Sequence, residues 1–106
     1  MDDISIKYGS VETIGFDITT DIDLTDYKLL FQVKRTKDSD TVLMEKEVDI
    51  DAEELTADVE LETDDWDLIP NKTMDYEYGT RIFKTGGFDR PWMQGKFKVE
   101  IAVAVS

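Results

Sequence analysis

Apolar side chains recur at every second position along most of this chain, a period that suits strands with one buried face and excludes long amphipathic helices. Ile4, Ile6 and Tyr8 alternate with polar neighbours; so do Ile14, Phe16 and Ile18, then Tyr27, Leu29, Phe31 and Val33. Val42, Met44, Val48 and Ile50 share one face of the next run, and Ala57, Val59 and Leu61 share one face of another. Met74, Tyr76, Tyr78, Thr80 and Ile82 make a longer run, and Phe97, Val99, Ile101, Val103 and Val105 the cleanest. Short strands at regular spacing predict an all-β fold: an immunoglobulin-like antiparallel β-sandwich of about seven strands, with an open barrel as the alternative. Without cysteine there is no Cys-Trp-Cys core, so the likeness to immunoglobulin domains is architectural. At 106 residues, 41% of them apolar, the chain is expected to form a single domain, residues 1–106, around one core.

The breaks between runs carry turn chemistry. Gly9-Ser10 interrupts the first, and Asp21 to Asp26 offers Asp and Thr side chains that bond local backbone amides. Lys34 to Asp40 reads as a charged hairpin loop, and Asp51 to Leu55 as one helical turn or a short loop. Thr63 to Leu68 can open one short helix at 63–68, with Thr63 as N-cap and acids in its first turn; Pro70 biases Ile69 away from helical angles and ends it. Thr85-Gly86-Gly87 is a turn signal, and Phe88 to Gly95 reads as a loop before the last strand. Lys46 is the one charged member of its inward face, which predicts an edge strand along which its stem can lie.

Cysteine and histidine are both absent, which removes Cys/His zinc sites and histidine-based triads from the chain. No cofactor and no metal are expected. Asp49, Asp51, Glu53 and Glu60 fall at EF-hand positions 1, 3, 5 and 12, but Glu54 stands where that loop needs glycine and the flanks alternate as strands. An EF-hand is rejected. Paired carboxylates suit glycoside hydrolysis, yet no motif singles out a pair, and a sandwich of this size has little room for a deep cleft. Met1-Asp2-Asp3 is acidic where a signal peptide has its basic region, so a secretory address is not expected.

Charge is uneven. Residues 1–70 hold 21 acidic and six basic side chains, residues 71–106 four and six. The net charge of −13 disfavours direct nucleic-acid binding, and anionic membranes repel the acidic part, so neither is an expected partner.

Taken in order, Asp23-Leu24-Thr25-Asp26, then Leu29-Leu30-Phe31-Gln32-Val33-Lys34, Asp75-Tyr76-Glu77-Tyr78, Lys84-Thr85-Gly86-Gly87 and Gly95-Lys96-Phe97-Lys98-Val99 form a recognisable series. It resembles the small β-sandwich domains of tailed-bacteriophage virion proteins, most closely the N-terminal domain of the baseplate upper protein and related prophage proteins. The chain departs from that pattern at Asn71-Lys72, where a glycine usually precedes the aromatic strand, and in the extension Phe88 to Gln94. The resemblance implies a non-enzymatic structural protein of the tail, neck or baseplate, made in the host cytoplasm and carried in the virion. Its implied partners are other virion subunits and further copies of itself.

Phe88, Arg90, Pro91, Trp92 and Met93 are the candidate interface residues. Aromatic and Arg side chains on a proline-stiffened segment bury large area at small entropic cost. The competing reading has Phe88 and Trp92 fold back and cap the sandwich. Trp66, alone among Asp64, Asp65 and Asp67, is expected to plug an edge of the core. Two other functions fit the composition: a carbohydrate-binding or adhesion module in which Trp92, Tyr76 or Phe88 stacks on a sugar, and an acidic DNA mimic that occupies a host protein's groove.

Overall fold

The computed structural model describes residues 3–19, 23–36, 38–70, 72–84, 87 and 89–101. It is an all-β sandwich. Among the described residues seven strands follow one another: β1 (Ile4–Lys7), β2 (Thr13–Asp17), β3 (Lys28–Lys34), β4 (Val42–Asp49), β5 (Thr56–Glu60), β6 (Met74–Phe83) and β7 (Asp89–Glu100). One sheet has the order β1-β7-β6-β3-β4; the other pairs β2 with β5. Placing β2 beside β5, with β7, β6 and β3 adjacent in the facing sheet, matches the B–E and C–F–G arrangement of immunoglobulin-type sandwiches.

The expectation of an antiparallel sandwich needs one correction. β1 runs parallel to β7, with Ile4 opposite Phe97 and Lys7 opposite Glu100. Parallel neighbours need a long crossover, and here almost the whole chain lies between the two strands. Side-chain alternation reveals which face is buried and carries no information on strand direction, so this pair could not be read from the sequence.

The period-two pattern becomes the core. Leu29, Phe31 and Val33 of the central strand β3 are fully buried, facing Phe16 of β2 and Ala57 and Val59 of β5. Phe31 contacts Phe97 edge-on at 6.0 Å between centroids, and it stacks at a tilt on Phe16 and Tyr78. Trp66 continues this aromatic series to Phe97 at 6.2 Å and to Tyr8 at 5.2 Å. It is only 2% exposed, and its indole N–H donates to the Ser10 carbonyl at 3.0 Å. The tryptophan among the acids therefore belongs to the core, as expected.

The short helix is a 3-10 turn, Thr63–Trp66, and its cap lies one residue earlier than expected. Glu62 is the N-cap and Thr63 the first helical residue; the Asp65 carboxylate accepts from the Glu62 N–H at 2.7 Å. Asp65 also meets the Lys46 ammonium at 3.1 Å, both side chains being largely buried. β4 is an edge strand, as Lys46 predicted, and the inward charge finds its partner on the 3-10 turn. A charge pointing inward on an edge also discourages a foreign strand from adding there.

Two turns use left-handed backbone at residues other than glycine. The Asp23 carboxylate accepts from the Thr25 N–H at 3.0 Å and the Thr25 hydroxyl at 2.7 Å, and Asp26 follows at φ 67°. Asp51 accepts from the N–H groups of Glu53 and Glu54, and Leu55 closes that turn at φ 57°. Asp tolerates this region; Leu does so at a cost of about 1–2 kcal/mol.

Candidate functional site

The segment expected to be a loop is a strand. β7 begins at Asp89, and β6 pairs with it from Phe83–Asp89 through Met74–Val99. Four of the five candidate residues, Arg90, Pro91, Trp92 and Met93, lie on the first half of β7, where the ladder is irregular: Gly79 pairs with Gln94, but Arg81 pairs with Pro91. β7 thus has one residue more than β6 there, and Trp92 and Met93 together oppose Thr80 in a β-bulge. Thr80 is 2% exposed, and its hydroxyl pins the bulge, accepting from the Met93 N–H at 2.9 Å and donating to the Met93 carbonyl at 3.3 Å.

A bulge and a free edge explain why proline sits inside a strand. β1 covers β7 only from Phe97 to Glu100, so Pro91 lies on an uncovered stretch where no ladder partner is denied its N–H.

Arg90 and Pro91 are exposed, while Trp92 and Met93 are half-buried and pack partly on the core. Trp92 thus folds partly back onto the core, as the capping reading expects, and keeps part of its ring exposed. Phe88 lies outside the described residues, as do Thr85 and Gly86 of the preceding turn; the Gly87 N–H donates to the Lys84 carbonyl at 3.1 Å.

Beside the bulge, the outer face of the large sheet holds a groove of about 360 Å³. Gly79 projects no side chain between inward-facing Tyr78 and Thr80, which leaves a depression at the middle of β6. Gln32, Lys34 and Glu77 line one side, and Pro91, Trp92 and Gln94 the other, with Arg81 at the end nearer the hairpin turn. Arg81 pairs with Asp89 at 2.8 Å, and Gln32 donates to Glu45 at 2.6 Å. Lys34 makes no ion pair among the described residues, and the Trp92 indole N–H has no hydrogen-bond partner among them. The sequence did not point to this groove, because it arises from an absent side chain and two strands far apart in the chain.

Tyr76 does not belong to this surface. It is 1% exposed, and Arg35 lies over its ring at 5.9 Å, so it offers no face to a sugar; that candidate stacking residue is withdrawn. Its hydroxyl is buried with no hydrogen-bond partner among the described residues, and this burial raises its pKa above the usual tyrosine value.

The opposite side of the molecule is electrostatically uniform. Thr13, Gly15 and Asp17 of β2 and Asp58 and Glu60 of β5 face outward, flanked by Glu12 and Glu62. The chain has no Lys or Arg between Tyr8 and Tyr27 or between Glu47 and Asn71, so this face carries no cation of its own. Its acids are spread over solvated strand faces, and no three of them gather around a metal-sized space among the described residues. Two large apolar side chains stand exposed near this end: Val11, 68% exposed at the head of β2, and Leu68, 64% exposed after the 3-10 turn. Neither was singled out from the sequence, since an isolated apolar residue beside a turn has no periodic partner to mark it.

Neither the models of known protein families nor the curated protein sequences contain a match to this chain.

Proposed function

We propose that this domain is a non-enzymatic structural component of a tailed-bacteriophage virion, in the tail, neck or baseplate, and acts by docking on other virion subunits or on further copies of itself. The observation that carries this reading is the bulged, proline-stiffened start of β7, which holds Trp92 half-open beside a groove on the outer face of the large sheet. A half-buried tryptophan is already largely fixed in conformation, so burying the rest of its ring in an interface costs little further entropy. The order of sequence motifs supplies the particle context, and the groove supplies a rigid receptor for a protruding side chain.

Co-expression with the products of the neighbouring genes tests the proposal. The wild-type domain is expected to co-purify with a tail, neck or baseplate subunit, and Trp92→Ala to lose that partner while keeping its β-sheet circular dichroism. A domain that binds none of those products, and is missing from purified particles by mass spectrometry, overturns the reading.

A further inference from the structure

We propose that the groove over Gly79 receives the acidic head of β2 from a second copy of this chain, an inference that rests on the assembly reading above. The groove presents Lys34 and, already paired with Asp89, Arg81, beside the Glu77 carboxylate and the open face of Trp92. Lys34 has no ion-pair partner of its own among the described residues. The face around β2 presents only acids and neutral residues, and at its head an apolar side chain stands 68% exposed, Val11, with Glu12 next to it.

The two surfaces complement each other. Val11 supplies the apolar knob that the missing Gly79 side chain leaves room for, against the Trp92 ring. Glu12 and the outward acids of β5 supply counter-charges for Lys34. Each domain carries both halves, on opposite sheets of the sandwich. The contact is therefore heterologous: it leaves a free groove at one end and a free β2 head at the other, and closes only as a ring. With a charge of −13 on each copy, long-range repulsion opposes the approach, but salt at physiological strength screens it beyond about 8 Å and leaves the local pairing in place.

Sedimentation equilibrium on the whole chain, from about 10 μM to 1 mM in 0.15 M salt, tests this directly. Wild type is expected to gain mass with concentration. Its fluorescence should shift to the blue as Trp92 is covered, because Trp66 is already buried. Val11→Asp and Lys34→Glu, both solvent-facing changes that leave the core intact, should each weaken self-association at least tenfold. Mixed together they should form a one-to-one complex and nothing larger, because Val11→Asp keeps its groove and Lys34→Glu keeps its β2 head. A wild type that stays monomeric at 1 mM, or a Val11→Asp chain that associates like wild type, overturns the inference. If the domain still captures a neighbouring gene product through Trp92 in that case, the assembly reading stands with a different occupant in the groove.

Discussion

Tyr76→Phe should make this protein more stable, which is unusual for a change inside a core. The Tyr76 ring is buried between β6 and the facing sheet, and its hydroxyl has no hydrogen-bond partner among the described residues. Burying such a group without a partner costs about 1–3 kcal/mol, while the phenyl ring keeps the contacts with its neighbours and with Arg35. Allowing for the small void left by the oxygen, the net gain is about 1 kcal/mol. For 106 residues the entropy of unfolding is about 0.22 kcal/mol/K, so the midpoint should rise by roughly 4–5 °C. Thermal melts followed by circular dichroism, paired with urea titration, measure both quantities. The sign also has a pH signature. Because burial raises the folded-state pKa of Tyr76 above its ordinary value of 10.0, its neutral form is favoured on folding. The associated stability is present below the unfolded-state pKa and is lost as pH rises through the folded-state value. The advantage of Tyr76→Phe over wild type should therefore widen above pH 10. A variant less stable than wild type by 1 kcal/mol or more would refute the reasoning, since the hydroxyl would then have a partner in the folded state.

Other outcomes follow from the same structure. Phe31→Ala, at the centre of the aromatic cluster, should cost about 3–5 kcal/mol by chemical denaturation, a large share of the stability of a domain this size. Asp26→Gly should leave stability unchanged or raise it by a few tenths of a kcal/mol, whereas Asp26→Val at φ 67° should lower it by more than 1 kcal/mol. The Thr25 hydroxyl and N–H hold the Asp23 carboxyl below its ordinary pKa of 3.8. The stability linked to Asp23 is thus present above the unfolded-state pKa and lost as pH falls through the folded-state value; carboxyl NMR titration should show Asp23 moving back up in Thr25→Ala. Lys46→Val should leave the fold in place but raise aggregation on heating, measured by thioflavin fluorescence, because it removes the inward charge from edge strand β4.

The strands were legible because their apolar residues obey a period of two against a single buried layer. Ile14 and Phe16, or Leu29, Phe31 and Val33, can be buried in only one register, and a slip of one residue would turn them all to solvent. Residues 89–94 were not legible for the opposite reason. A bulge breaks the alternation by placing Trp92 and Met93 against the same partner, and proline argues against a strand unless the edge is known to be uncovered. The cap at Glu62 was readable in principle from an acid three residues later, Asp65, but Thr63 is the stronger capping residue by preference and drew the boundary one place on. Trp66 was read as core from its isolation among acids, and Lys46 as an edge residue from its charge on an apolar face; both are local inferences that need no partner strand. The groove, the orphaned Tyr76 hydroxyl and the exposed Val11 depend on which distant residues meet, and a single sequence without pairing information does not contain that.

The central claim, that the start of β7 is a contact surface between subunits of a particle, is tested most directly by placing a photo-reactive amino acid at Gln94, beside Trp92 on the groove wall, and irradiating assembled virions. The account predicts a cross-link from position 94 to a neighbouring virion subunit or a second copy of this chain, identified by mass spectrometry, with little yield from the same probe on the far edge at Glu47. Equal yields from both positions, or particles that contain no trace of the chain, would contradict it.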